Sequence, residues 1–312
     1  MAWNGTIWVA LGEGTNTIAY SNDGENWIGL GSSIFSSSGY EVAWNGSKWV
    51  ALGSGTTNTI AHSDDGITWT GLGKTIFSTY GKGVAWNGTI WVAVGSGTTN
   101  TIAYSYDGQN WIGLGSNIFS TSGNGVAWNG SRWVAVGEGN SSIAYSDDGI
   151  TWAGLTTNFV YYSDGYQDTS SFDSGFGVTW NGNIWVVVGK GTHNSSSNAN
   201  LNGMIGISTN GVDWNFDLEN YRSEQYSANN YSGKHVEIIF SDYVNGVASN
   251  VNVIDNFNVN IQHPLVAVGS GNNTIAYSAD GIRWNGLGSN IFSTSGNDVA
   301  WNGTRWGEVG GG

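Results

Sequence analysis

Eighteen tryptophans stand at three fixed places in a unit that recurs along the chain, and this spacing constrains the fold more than anything else. The first place precedes an Asn-Gly pair: Trp3, Trp44, Trp86, Trp128, Trp180 and Trp301. The second follows that pair by three residues: Trp8, Trp49, Trp91, Trp133, Trp185 and Trp306. The third closes a Ser-x-Asp-Gly-x-x-Trp run: Trp27, Trp69, Trp111, Trp152, Trp214 and Trp284. Equivalent tryptophans are 41 or 42 residues apart over the first four copies. A period of about 40 to 45 residues is that of β-propeller blades.

One copy, Val84 to Leu114, shows how the unit folds. GVAW and IWVAVG are runs of β-forming residues separated by Asn-Gly-Thr, and Asn-Gly suits a two-residue type I′ hairpin. TIAYS and NWIGL flank Asp-Gly and read as a second hairpin, with Gly-Ser-Gly-Thr-Thr-Asn as the loop between the hairpins. No stretch carries helical apolar spacing. The expectation is an all-β chain: a β-propeller of four-stranded antiparallel blades, because one meander cannot bury both faces and must stack on neighbours. The whole of 1–312 reads as a single propeller domain, with blades at about 1–30, 41–72, 83–114, 125–155, 177–216, 235–287 and a partial 298–312.

Charge narrows the function classes. The net charge is −14 with nine Lys and Arg that form no stripe, which opposes nucleic-acid binding. No run approaches 18 apolar residues, so no membrane-spanning helix is expected. Cysteine is absent, which removes disulfides and thiolate chemistry without fixing the compartment. Residues 1–10 already read as a hairpin, so no signal peptide is visible in this numbering; an extracellular or virion-associated setting is favoured.

The departures from the repeat are as informative as the repeat. Connections between the early copies carry an Ile-Phe pair (Ile34/Phe35, Ile76/Phe77, Ile118/Phe119), expected to pack between blades rather than to line a groove. Insertions expand the connection at 156–176, the loop at 190–203 and the exit at 216–234, and a fourth precedes Pro264, which stands where a strand can begin. The chain ends on a seventh first hairpin whose second strand carries Gly307 and Glu308 in place of Val-Ala. Seven blades with the last incomplete are favoured; the alternative is six, with the last hairpin competing for the place of residues 1–10. Glu308 would blunt an exposed edge. An unfinished blade also suggests completion by another chain, hence an oligomer.

The Ser-x-Asp-Gly-x-x-Trp run resembles the Asp-box, the bacterial neuraminidase repeat of sialidase-like propellers. Its residues here are Ser21, Asp23 and Trp27; Ser63, Asp65 and Trp69; Ser105, Asp107 and Trp111; Ser146, Asp148 and Trp152; Ser208, Asn210 and Trp214; and Ser278, Asp280 and Trp284. The run is one residue shorter than the common form, and Asn210 replaces Asp in the fifth copy. The resemblance implies a structural turn, in which Ser and Asp bond backbone amides and Trp packs into the blade. The repeat type is also similar to tandem propellers encoded by giant viruses and some bacteria. Sialidase activity, which in that family needs three convergent arginines, is not expected. Of the four arginines, Arg132 and Arg305 share one repeat position, Arg283 lies inside a box, and only Arg222 belongs to an insertion.

Strand alternation puts Asn-Gly turns and Asp-boxes at one end of each blade and the other loops at the opposite end. Three insertions therefore emerge together at that opposite end. They supply the candidate ligand-binding residues Tyr161, Tyr162, Tyr166, His193, Tyr221, Arg222, Tyr226 and Tyr231. Tyrosine among Ser, Asn and Gly makes adaptable recognition surfaces, and loops on a rigid scaffold are where function concentrates. Self-packing of the insertions over a blade edge is the structural alternative. The functional expectation is a non-catalytic module that binds a glycan or protein partner. A glycoside hydrolase drawing carboxylates from Asp164, Asp168, Asp217, Glu219 and Glu224 is the enzymatic alternative, although no spacing selects a pair. No cofactor is expected, and no metal site. His62, His193, His235 and His263 have no paired ligand spacing, and each Asp-box offers too few carboxylates for calcium. Asn-Gly-Thr/Ser at Asn4, Asn45, Asn87, Asn129 and Asn302 matches the glycosylation sequon, but hairpin geometry already explains Asn-Gly.

Overall fold

The computed structural model describes residues 1–155, 157–163, 166–194, 201–216, 243–248, 265–270, 275–278, 285–287, 295–301 and 306–311. Every regular element among them is a β-strand. Blade 1 comprises β1 (Ala2–Trp3), β2 (Trp8–Leu11), β3 (Ile18–Ser21) and β4 (Ile28–Gly29). Blade 2 comprises β5 (Ser38–Trp44), β6 (Trp49–Ser54), β7 (Ile60–Ser63) and β8 (Thr70–Gly71). Blade 3 has β9 (Tyr80–Trp86), β10 (Trp91–Ser96), β11 (Ile102–Ser105) and β12 (Ile112–Gly113). Blade 4 has β13 (Ser122–Trp128), β14 (Trp133–Glu138), β15 (Ile143–Ser146) and β16 (Ala153–Leu155). Blade 5 begins with an added strand, β17 (Asn158–Ser163), then β18 (Tyr166–Trp180), β19 (Trp185–Asn194), β20 (Leu201–Ser208) and β21 (Asn215–Phe216). Blade 6 has β22 (Tyr243–Ala248), β23 (Leu265–Ser270), β24 (Ile275–Ser278) and β25 (Asn285–Gly286). Blade 7 has β26 (Ser295–Trp301) and β27 (Trp306–Gly311).

All pairings are antiparallel, and the first strands β1, β5, β9, β13, β18, β22 and β26 contact one another in chain order. Seven inner hairpins of a β-propeller-like fold are thus present among the described residues, and single pairings at Ser54↔Tyr80, Glu138↔Ser174 and Ser270↔Ser295 link neighbouring blades. The fourth insertion, between Ala248 and Leu265, joins the first and second strands of blade 6. Leu265 there pairs with Ser278 as Trp133 pairs with Ser146, so it takes the place of the missing second tryptophan. Pro264 lies outside the described residues.

Period-2 alternation in the second strand welds blade 3 to both neighbours. Trp91 and Ala93 of β10 pack with Val50, Leu52 and Ile60 of blade 2. Val92 and Val94 of the same strand pack with Trp133, Ala135 and Ala144 of blade 4. At both junctions of blade 3 large residues therefore meet small ones, which is how facing layers interdigitate. Trp49, Trp91, Trp133 and Trp185 are fully buried. Phe35, Phe77 and Phe119 are also fully buried, in the same clusters, so the Ile-Phe connections pack between blades as expected. Their loops are tied down by Thr17, Thr59 and Thr101, whose hydroxyls each donate to the phenylalanine carbonyl at 2.8 Å.

Blade 5 breaks the repeat and compensates locally. Ala93 pairs with Ala103, and Ala103 with Gly113, in blade 3. The equivalent row in blade 5 is Val187, Gly206 and Phe216. A Cβ on Gly206 would lie 2.5 Å from the Phe216 ring. The larger Val187 and Phe216 are thus accommodated by the glycine between them.

Six inner strands carry a β-bulge at one place. Pairing passes from Gly81 to Gly83 on β9 while its partner advances by one residue, and the same step skips Tyr40, Asn124, Phe176, Asn245 and Asn297. The bulge explains the last glycine of WVAVG. A Cβ on Gly95 would stand 2.3 Å from the Tyr80 carbonyl oxygen and 3.0 Å from the Phe77 ring.

The Asn-Gly turns and Ser-x-Asp-Gly-x-x-Trp turns share an end of each blade, where Lys48 Nζ meets Asp64 Oδ1 at 2.6 Å and Arg132 Nε meets Asp147 Oδ1 at 2.8 Å. Arg132 also donates through Nη1 to the Asn210 carbonyl oxygen of the next blade. In the third turn the Ser105 hydroxyl accepts from the Gly108 amide, and Asp107 Oδ1 accepts from the amides of Gln109 and Asn110. Trp111 Nε1 donates to the Gly108 carbonyl. The turns begun by Ser21, Ser63 and Ser146 repeat these bonds, and Asn210 Oδ1 replaces the carboxylate oxygen with the same two amide bonds. In the sixth turn Ser278 ends β24, while Asp280 and Trp284 lie outside the described residues.

Substitution at two glycines separates a crowded backbone position from an open one. Gly95→Ala should destabilise by about 1–3 kcal/mol through overpacking. Gly12→Ala, with nothing within 4 Å of its Cβ, should stay within about 1 kcal/mol of the parent; urea titration reads both. Burial opposes ionisation of Asp65, but the Thr68 and Ile67 amides and the Ser63 and Thr68 side chains outweigh it and hold its carboxyl at about 2. A depressed carboxyl contributes stability fully above the unfolded value of about 3.9 and loses it as pH falls toward 2. Asp65→Asn keeps the amide acceptor that Asn210 supplies naturally and should therefore lose less stability than the parent between about pH 5 and pH 2.5.

Candidate functional site

Two of the three insertions expected as loops are strands. The reason lies in their residues: NFVYYS and YQDTSSF alternate around Asp164-Gly165, a hairpin signal of the same kind as those inside the repeat. β17 pairs with the first part of β18 from Asn158↔Ser171 to Ser163↔Tyr166. β18 continues onto β19 as far as Thr169↔Asn194, and β19 onto β20 as far as Thr192↔Leu201. Within segments 156–176 and 190–203, residues 158–163, 166–176, 190–194 and 201–203 are strand. They prolong the inner strands of the blade into a four-stranded extension.

Register sorts the candidates. Tyr161 pairs with Asp168, Ser163 with Tyr166, and Ser170 with both Phe159 and His193. Alternation then assigns Tyr161, Tyr166, Asp168 and His193 to one side of the extension. Tyr162, paired with Gln167, belongs to the other side. The structure thus unites three of the tyrosine and histidine candidates and separates a fourth from them. Tyr221, Arg222, Tyr226 and Tyr231, in the third insertion, lie outside the described residues.

At its base the extension is anchored to the propeller. Glu138 at the end of β14 pairs with Ser174, joining blade 4 to the inner strand of blade 5. The Ser142 hydroxyl donates to the Phe172 carbonyl, and Thr157 donates to the same oxygen at 2.8 Å. Phe172 is buried, its ring 4.9 Å from that of Phe216. Lys190, just below the extension, holds its ammonium 5.7 Å from the centre of the Phe176 ring. These contacts fix the root in which Tyr161 and His193 are set, and rigid support for a recognition surface lowers the entropy cost of binding.

Of the carboxylates considered for hydrolysis, Asp168 lies among the described residues, and Asp164, Asp217, Glu219 and Glu224 lie outside them. No group of three His, Asp or Glu suited to a metal ion occurs among the described residues. His62, in the place of the repeat tyrosine, has a buried Nδ1 without a partner, and burial followed by the Lys48 charge lowers its pKa. It sits in the blade wall, on β7 opposite Val50, away from the extension. Arg132 is committed to the opposite end of the blades by its bonds to Asp147 and Asn210. Among the described residues no helix is long and apolar enough to cross a membrane.

No protein-family model and no curated protein matches the chain. Among solved structures, it is similar to the computationally designed Ika8 protein, with a TM-score of 0.40 and 13% identity over 85% of this chain and 78% of that one.

Proposed function

We propose that the chain is a non-catalytic β-propeller binding module that recognises a glycan through the extension of blade 5. One observation carries this reading: the register of β17, β18 and β19 gathers Tyr161, Tyr166, Asp168 and His193 on one side of a rigidly rooted sheet. Aromatic rings offer faces for apolar stacking, and carboxylate and imidazole groups beside them offer hydrogen bonds to hydroxyls. Kinship with Asp-box propellers belongs to the same proposal, supported by the shared turn hydrogen bonds, and so does display at a cell or virion surface. A protein partner is the neighbouring reading, since the same residues suit a protein interface. A second reading, assembly through the last blade, has its own support: β27 is the terminal strand of its sheet and pairs with β26 alone among the described strands.

Glycan-array screening of the parent chain, followed by titration of the best ligand, tests the proposal. Tyr161→Ala and Tyr166→Ala should each weaken binding by about tenfold or more, as expected for aromatic anchors. Tyr106→Ala, a residue 60% exposed in an Asp-box turn at the opposite end, should leave it unchanged. Equal affinity of all three variants and the parent would sink the site, and binding of a protein but no glycan would shift it to the neighbouring reading.

A further inference from the structure

The six bulges place the least repetitive residue of the repeat where the inner strands run side by side. In strands that otherwise read alike, the skipped residues are Tyr40, Lys82, Asn124, Phe176, Asn245 and Asn297. A bulge frees one residue from the ladder and re-aims it, which is why bulges recur beside functional sites. Glycines bring successive bulges close together. A Cβ on Gly83 would lie 3.0 Å from the Gly125 Cα, and one on Gly125 would lie 3.5 Å from the Gly177 Cα.

Three of these side chains have partners within the protein. Asn124 Nδ2 donates to the Gly175 carbonyl at 2.9 Å, and its Oδ1 accepts from the Ser122 hydroxyl. The Tyr40 ring meets that of Tyr80 edge-on at 6.0 Å, and its hydroxyl accepts from Ser54. The Phe176 ring carries the Lys190 ammonium. Lys82 differs. It is half-buried, and among the described residues its ammonium makes no hydrogen bond and no ion pair. Burial lowers its pKa, and only the through-space field of Glu138 opposes that. Glu41, at the glycine position of its own bulge, accepts the Val84 amide at 3.0 Å. A half-buried ammonium without a hydrogen-bonded acceptor is costly unless something supplies one.

We propose that Lys82 anchors a binding site for a small carboxylate-bearing ligand at the level of the bulges, beside the aromatic edge formed by Tyr40 and Tyr80. The ammonium supplies the charge-assisted hydrogen bond, and the tyrosine rings supply an apolar flank. This site stands on the bulges and not on the extension of blade 5, so failure of either leaves the other standing. Two sources carry the required chemistry, a simple organic acid and an acidic sugar.

Titration calorimetry of the full chain with acetate, glucuronate and glucose tests it. Saturable one-to-one binding of a carboxylate is expected, with none for glucose. Lys82→Gln should weaken that binding by about tenfold or more, because a charge-assisted hydrogen bond is lost, and Lys82→Arg should retain most of it. Equal affinity for acetate and glucuronate assigns the site to the acid group alone; tighter glucuronate binding assigns it to an acidic sugar. Lys82→Gln removes a poorly compensated charge and is expected to fold. Should it not, mass-spectrometric mapping of amine acylation in the parent chain reads the same contact, with Lys82 protected by the bound carboxylate. Absence of saturable binding by both acids, unchanged affinity in Lys82→Gln, or no protection of Lys82 overturns the proposal.

Discussion

The interaction on which the rest of the structure depends is the contact between neighbouring second strands. In β10 the odd and even residues serve different blades, Trp91 and Ala93 facing blade 2, Val92 and Val94 facing blade 4. Full burial of a side chain such as Val or Leu is worth about 1.5–3 kcal/mol, and each junction repeats the same few contacts. Among the described residues no blade has a core of its own. Each is stable only as part of a row, which is the general condition of repeat proteins. The arrangement also has a cost, because Trp49, Trp91, Trp133 and Trp185 bury indole N–H groups that find no protein acceptor. Unpaired donors of this kind cost about 1–3 kcal/mol apiece, and the surrounding apolar contacts have to exceed it.

The blades were legible in the sequence because their determinants are local. Asn-Gly, Asp-Gly and the alternation of WVAVG each act within a few residues, and the structure returns the strands where those signals stand. The end of the blades that carries the Ser-x-Asp-Gly-x-x-Trp turns was legible for the same reason, since Ser105 and Asp107 bond amides within three residues of themselves. The extension of blade 5 was legible only in part. Its tyrosines marked it as a departure, but Asp164-Gly165 stands without the flanking tryptophans that mark the hairpins of the first five blades. Bulges were not legible at all. Whether Lys82 is in the ladder depends on how Gly81 and Gly83 register against β10, and a glycine-rich strand accommodates both registers equally well. Compensation in blade 5 is a further nonlocal matter, since Val187, Gly206 and Phe216 are distant in sequence and adjacent only across three strands.

A division of labour follows. Positions that repeat, including the tryptophans, the Ser and Asp of the turns and the buried phenylalanines, are all consumed by construction. The largest departures from the repeat among the described residues lie at the other end: the extension of blade 5 and the bulged residues of the inner strands. β18 belongs to both, running from the extension through Phe172 to the bulge at Phe176 and on to Trp180. The proposed recognition surface is therefore mounted on strands that the blade junctions hold in place, and rigid mounting is what gives a binding site its precision.

A double-mutant cycle tests this dependence most directly. Val92→Ala combined with Trp133→Phe joins residues 41 positions apart in sequence that share one cluster. Val92→Ala combined with Trp91→Phe joins sequence neighbours that belong to different clusters. Measured by urea denaturation, the first pair should show a coupling of about 0.5 kcal/mol or more, and the second should be close to additive. Additivity of Val92 with Trp133, together with strong coupling of Val92 to Trp91, would contradict the account.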